Sequence, residues 1–468
     1  MRSAHPKAGL DDVQHLPHLA ARNRGRAVSG AQAARVTDPA AKILAGLEGS
    51  GPGTALKLLV LGGGWAGLAA AVTATQRGWQ VVLCEASRTL GGRARSVTHA
   101  GATYDNGQHV LIGAYRDTLA LLRTVGVDPA HVLDRQPLDL RLPDGTGLKL
   151  PDLHPPWNAL LGIAQAQGWA WSDRWSLLQA ALRWRLQGFV CPPDWTVRRL
   201  CQGLRERVMQ EMIEPLCVSA LNTPAQIASA EVFLRVMQDG LFSGRGSSDI
   251  LMPRVPLGEL LPQAAQRWLL DHGAEIQLGT RVTDARQAQN DLQADALLLA
   301  CSSEEAARLS APLNTDWSAL TATLQHTAIT TVSVRCLDPA FKGLDKPLQA
   351  LRSDASHPAQ FVAQRDGVLS FVVSDSQGSR DTLISQVMAQ ARQLLQVQDL
   401  ELLYCATEKR ATFACTPQLK RPGALVSPGV WACGDYIAGP YPATLEGAVR
   451  SGLQVLEQIA EAGVGQRL

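Results

Sequence analysis

Residues 58–86 read LLVLGGGWAGLAAAVTATQRGWQVVLCEA. Leu58–Leu61 is an unbroken apolar run, the pattern of a strand buried on both faces of a parallel sheet. Residues 65–76 are rich in alanine and favour helix. Between them Gly62, Gly64 and Gly67 satisfy G-x-G-x-x-G. The first glycine makes the tight turn, the second lets a pyrophosphate approach the backbone, and the third lets the helix lie close on the sheet. The first-turn amides of that helix face an anion, with the helix dipole behind them. Gln80–Cys84 reads as the next strand. Glu85 stands at its carboxyl end, where an acid accepts the hydroxyls of an adenosine ribose and repels a 2′-phosphate. The glycines alone mean little in a chain that has 41 of them. Strand, glycines, helix, strand and acid in one unit point to a bound dinucleotide other than NADP. The alternative is a glycine-rich packing corner.

Composition bounds the class. A chain of 468 residues can hold two or more lobes, and 46% hydrophobic with 18% charged residues is globular usage. A net charge of +2 gives no argument for nucleic acid. Nine scattered cysteines without a C-x-x-C pair suggest reduced structural thiols and a cytoplasmic location. Cys84 and Cys301 are expected in buried strands. No apolar run reaches the ~18 residues of a membrane span. Residues 1–55 are rich in Ala, Arg and polar residues and lack apolar periodicity, which reads as a disordered tail, with a transit peptide as the alternative.

Farther along, LGGRARS (Leu90–Ser96) places Arg93 and Arg95 on a second glycine turn, where guanidinium groups can neutralise phosphate or form a solvated basic loop. In DNGQH (Asp105–His109), Gly107 allows close backbone approach to something flat or crowded, and His109 is either structural or turned to an active cavity. Leu138–Pro151 reads as a hairpin. From Pro155 to about Ser219 the pattern is helical. Five of the eleven tryptophans lie between Trp157 and Trp184, interleaved with Arg174, Arg183 and Arg185. That mixture suits a membrane interface, or equally a helical lobe with aromatic core positions. Leu261–Val282 is helix, His-Gly break and strand, and Ala294–Ser302 is another buried strand returning to the first sheet. Thr323–Arg335 and Gly367–Ser374 read as strands of a second sheet, and Asp381–Leu395 as an amphipathic helix. Val430–Cys433 is a strand ending at Gly434 and Asp435, an acid placed to hold a polyol. A helix starting at Thr444 offers an N-terminus able to stabilise negative charge on a reduced flavin ring. Both ends of the core chain thus build one dinucleotide site, and the middle supplies a substrate lobe.

Gly62–Gly67, Glu85, LGGRARS and GDY…YPATLEGAVRSG together resemble the amine oxidase and carotenoid desaturase superfamily of FAD proteins. A narrower resemblance, to the hydroxysqualene dehydroxylases, rests on DNGQHVLIGAY (Asp105–Tyr115), EPLCVSALNTP (Glu214–Pro224), ASAEVFLRVMQDGL (Ala228–Leu241), SDILMPRVPLGELLP (Ser248–Pro262) and EKRATFACTP (Glu408–Pro417). It runs from about Lys57 to Ile459. The resemblance implies an α/β fold with a discontinuous Rossmann-like FAD-binding domain (residues 56–135, 250–305 and 418–460). A mixed-sheet and helical substrate domain would take residues 136–249 and 306–417. It implies FAD held by Gly62, Gly64, Trp65, Ala66, Gly67, Glu85, Ala86, Gly92, Arg93, Gly107, Gln108, Val282, Gly434, Asp435, Thr444 and Leu445, with no metal. The implied reaction replaces an allylic hydroxyl on a C30 isoprenoid by hydrogen, using reduced FAD, to give squalene for hopanoid synthesis. His109, Asp249 and Tyr441 are candidates to protonate or clamp the leaving hydroxyl. Arg254 pairs a carboxylate or helps to place Asp249. Peripheral contact with the inner face of the cell membrane, no nucleic acid and an upstream prenyl synthase partner complete the expectation. Two rivals share the motifs: an oxidative desaturase or amine oxidase, and a non-catalytic escort of prenylated proteins.

Overall fold

A computed structural model describes residues 55–463, and the expected N-terminal tail lies outside the described residues. Six strands form one sheet in the order Leu425–Ser427, Val430–Ala432, Ala296–Leu299, Lys57–Leu61, Gln80–Glu85, Glu275–Leu278. Every neighbouring pair is parallel except the outer one, Leu425–Ser427 with Val430–Ala432. The continuous apolar runs have the reason expected of them, because both faces are covered. Leu58, Val60, Leu83 and Leu298 pack on one side with the helices Trp65–Gln76, Pro262–Asp271 and Leu445–Glu461. Leu59, Leu61, Val82 and Leu299 pack on the other, in a core continuous with the helical segments.

The register places the site. Leu61 pairs with Cys84 and with Leu299, and Leu299 with Ala432, so these strands finish level. Gly62, Glu85, Ala300 and Gly434 therefore emerge along one edge, the crevice where open parallel sheets bind ligands. The final helix crosses Trp65–Gln76 with its backbone in close approach at Gly452. A Cβ at Gly452 would stand 2.3 Å from the Ala66 carbonyl oxygen.

A second, antiparallel sheet has the order Leu348–Ala350, Phe361–Arg365, Val368–Ser374, His326–Cys336, Leu400–Phe413. Val332, Val334 and Phe371 face the helix Arg380–Leu395, which contributes Leu383, Val387 and Ala391. A small sheet joins Leu111–Ile112, Ile250–Pro253 and Leu133–Gln136. Helices dominate residues 157–242, with one π-helical turn at Met209–Ile213 running into Glu214–Leu221. Among the described residues no helix is long and apolar enough to cross a membrane.

Two local expectations change. Leu138–Pro151 folds back on itself through Leu140–Leu148 and Leu150–Leu138 backbone bonds, but it keeps one bridge pair, Asp139 with Lys149, instead of a continuous ladder. Cys301 is not in a strand. The strand stops at Leu299, and the Cys301 amide lies in the turn against Gly62, 2.9 Å from where a Cβ there would sit.

Candidate active site

The two outer glycines of the first turn are closed to side chains. Gly62 has φ of +117°, and its Cβ would lie 2.6 Å from the Ala300 carbonyl oxygen; that of Gly67 would lie 2.0 Å from the Gly62 carbonyl oxygen. Gly64 differs, because a Cβ there would meet only the Gly92 Cα, at 4.0 Å. Its bare backbone borders open space. The helix that follows has neither a side-chain cap nor an acid in its first turn. Uncapped amides at a positive helix end are what a pyrophosphate requires, so the residues present fit a dinucleotide.

Glu85 accepts the Gly63 amide at 2.7 Å on Oε2 and the Ser87 amide at 2.8 Å on Oε1. Each oxygen keeps a lone pair for a ribose hydroxyl. The segment carrying Val282 is tied beside the exposed Ala86 by bonds from the Gly279 amide to Ser87 and from the Thr280 amide to Glu85.

The second glycine turn lies on the first. The Gly91 amide donates to the Gly63 carbonyl at 2.8 Å, and Gly91 bridges Gly64. Trp65 is a buried strut whose Nε1 donates to the Ala94 carbonyl at 3.0 Å, and Ala66 is buried too. Both therefore meet the crevice through backbone. Arg93 and Asp435, expected to hold phosphate and polyol, are partners of each other: Nη2 donates to Oδ1 at 2.5 Å, while Arg93 Nη1 donates to the Ala411 carbonyl at 2.6 Å. This pair ties the second glycine turn to the last parallel strand and to the long strand of the antiparallel sheet.

Beside it lies a cavity of about 410 Å³, bounded by Arg93, Ser303, His326, Phe413, Asp435 and Tyr436. Only Arg93 and Asp435 were singled out in the sequence; Ser303, His326, Phe413 and Tyr436 were missed. Tyr436 is 2% exposed, and among the described residues its hydroxyl has no hydrogen-bond partner. Gly434 makes room for it, since a Cβ there would stand 2.5 Å from the tyrosine ring. Its signal was adjacency to Asp435. His326 Nε2 lies 3.2 Å from Ser303 Oγ, and a histidine opening a strand carries no local signal.

The three proton-donor candidates occupy three different places. His109 Nδ1 lies 3.2 Å from the Gly107 carbonyl, next to the half-buried Gln108. Asp249 pairs with Arg135 at 3.0 Å, whereas Arg254 pairs with Asp134 at 3.2 Å and so does not place Asp249. Burial raises the Asp249 carboxyl above its ordinary value. The pairs Leu111–Leu251 and Ile112–Ile250 run antiparallel, which puts His109 and Asp249 beyond opposite ends of that ladder. Tyr441 donates to Asp239 Oδ2 at 2.6 Å and sits beneath the Arg235 and Arg450 guanidinium groups, 5.4 and 4.8 Å from its ring. Burial and then Asp239 raise its phenol. Thr444 caps the final helix by accepting the Gly447 amide at 2.9 Å, while the Leu445 amide heads that helix without a side-chain partner of its own.

Burial pushes His109 and His326 below the ordinary imidazole value, and the Arg93 charge pushes the same way. A histidine depressed on folding contributes stability that is present above the unfolded pKa of about 6.5 and is lost as pH falls toward the folded value. Equilibrium unfolding should therefore show stability declining on acidification from about pH 6.5. A His109→Gln/His326→Gln variant should show a shallower decline over that window, and an identical slope would contradict the assignment.

The sequence model of the family described as flavin containing amine oxidoreductase matches residues 65–460. A hydroxysqualene dehydroxylase of Zymomonas mobilis is 25% identical over 434 residues, 84% of this chain and 96% of that protein. One of Rhodopseudomonas palustris is 24% identical over 436 residues, 86% of this chain and 98% of that protein. The crystal structure of an oxidoreductase from Methanosarcina mazei superposes with a TM-score of 0.62 at 14% identity, covering 86% of this chain and all of that one, a likeness of fold.

Proposed function

The chain belongs to the flavin-containing amine oxidoreductases, and on that premise we propose that this FAD-dependent oxidoreductase reductively removes the allylic hydroxyl of hydroxysqualene to give squalene. The observation that carries the reading is the extent of the likeness. Relatives named for that activity align with 84% and 86% of this chain and nearly all of themselves, so the likeness takes in the middle of the chain as well as the cofactor-binding ends. The cofactor lobe is then residues 56–135, 250–305 and 418–460, and the segments between them form the substrate lobe.

When bound, reduced FAD supplies the hydride that takes the place of the hydroxyl. The chain's own residues bind, orient and keep out water. The Gly64 backbone and the helix amides behind it hold the pyrophosphate, and Glu85 holds the adenosine ribose. The Arg93–Asp435 pair fixes the two edges of the crevice. Burial raises the Tyr436 phenol well above its ordinary value, so its proton stays on Oη. Tyr436 lines the cavity and its hydroxyl has no acceptor among the described residues, so we assign it as a donor toward the bound ligand. Phe413, Tyr436 and Ile437 belong to the same buried cluster as Phe233 and Leu241 of the helical segments. The cavity thus backs onto an apolar core, and a hydrocarbon gains about 0.8 kcal/mol for each CH₂ that the protein buries.

Tyr436→Phe should leave the protein at least as stable as the parent, because an unpaired buried hydroxyl costs about 1–3 kcal/mol. Its turnover should fall about tenfold for one lost hydrogen bond. Unchanged turnover would remove Tyr436 from the site. The reaction itself is tested by incubating holoenzyme with hydroxysqualene and a chemical reductant. Squalene should appear only with the reductant. Unchanged alcohol, or a product with lengthened conjugation, would overturn the reading.

A further inference from the structure

The helix Trp171–Leu186 carries two apolar stripes. Leu177, Ala180 and Trp184 form the buried one. On the opposite side Trp171, Trp175, Leu182 and Leu186 recur at helical spacing and are 67%, 54%, 58% and 79% exposed. The helix Trp157–Ala164, packed beside it, repeats the arrangement: Ala159 and Ile163 are buried, while Trp157, Leu160 and Leu161 are exposed. Single exposed apolar residues are ordinary, but seven large ones on two packed helices, three of them tryptophan, are not. The tryptophan run also divides. Trp169 is 4% exposed and donates Nε1 to Glu211 at 2.8 Å, so it and Trp184 are core residues.

Charge says what covers the patch. From Trp157 to Cys191 the sole acid is Asp173, which is buried and accepts the Ala170 amide at 2.9 Å. Three arginines remain. Arg174 is fixed on the Ala166 carbonyl at 2.8 Å and Arg183 on the Leu200 carbonyl at 3.3 Å, and Arg185 is exposed. The Arg205 amide, bonded to Ser176 Oγ at 3.4 Å, brings a fourth alongside. Apolar side chains and indoles on one face, with arginines along its flanks, match acyl chains, the headgroup boundary and phosphate, in that order. We propose that this face rests on an anionic phospholipid bilayer, lying on the membrane without spanning it. The inference stands on the surface alone and holds whichever reaction the enzyme performs.

The test sediments the full-length holoenzyme with vesicles of phosphatidylcholine, with and without phosphatidylglycerol. The wild type should bind the anionic vesicles and hold the neutral ones more weakly. Trp171→Ala/Trp175→Ala/Leu182→Gln should cut the bound fraction roughly tenfold at an unchanged melting temperature, since these side chains are exposed. Arg183→Gln/Arg185→Gln should remove the preference for anionic vesicles. Wild-type binding by the triple variant would overturn the proposal. So would a wild type that ignores vesicles, whether monomeric or a dimer that the triple variant dissociates; the dimer would assign the face to a second copy of the chain.

Discussion

Gly67→Val should yield a colourless, poorly stable protein. Any Cβ at residue 67 stands 2.0 Å from the Gly62 carbonyl oxygen and 3.0 Å from the Ala300 side chain. The first contact is with backbone, so no rotamer relieves it, and the helix must lift from the sheet or the Gly62–Gly64 turn must open. Either movement misplaces the uncapped amides that fit the pyrophosphate. Forced overpacking costs about 1–3 kcal/mol, and here the upper end or more is expected because backbone must move. Gly78→Ala is the control. Gly78 also has positive φ, +77°, but nothing lies within 4 Å of its would-be Cβ. That variant should lose about 1 kcal/mol through strain and keep its flavin. Flavin absorbance per mole of protein, with thermal unfolding, reads both effects. Full flavin content in Gly67→Val would contradict the placement of the cofactor.

Glu446→Ala should cost nearly as much by a different route. Glu446 is the second residue of the final helix and is 2% exposed. Its carboxyl accepts the Asp117 amide at 3.1 Å, the Thr118 amide at 3.0 Å and the Thr118 hydroxyl at 2.7 Å. It thereby caps the helix Arg116–Thr124, whose own N-cap residue, Tyr115, offers no side-chain bond. Removing the acceptor leaves these donors unpaired in or near the core, at about 1–3 kcal/mol for each fully buried one and about 3 kcal/mol in all. The Thr444 segment heads the same final helix, so flavin should be lost at lower temperature than from the parent. A denaturation free energy within about 0.5 kcal/mol of wild type would refute the capping role.

Local chemistry explains why the parallel sheet was legible in the sequence. Leu58–Leu61 and Ala296–Leu299 are short apolar runs because both sheet faces are covered, and the glycines sit where backbone meets backbone. The Arg93–Asp435 pair could not be read in this way. Its members are 342 residues apart, and each looked like a ligand-binding group until the level strand ends brought them together. The same holds for Asp249, which stands closer in sequence to Arg254 but pairs with Arg135 through the register of the small sheet. Trp169 and Trp171 are two residues apart and alike in composition. The helix begins at Trp171, so one turns to Glu211 in the core and the other to solvent. Tyr441 could be placed near the final turn, but not its engagement with Asp239, which depends on a helix two hundred residues earlier.

A single anaerobic turnover tests the proposed reaction most directly. Holoenzyme carrying fully reduced flavin is mixed with hydroxysqualene while flavin absorbance and extracted lipid are followed together. The predicted result is oxidised flavin and squalene appearing mole for mole. Flavin that stays reduced over intact alcohol, or oxidised enzyme that becomes reduced on meeting a polyene, would contradict it.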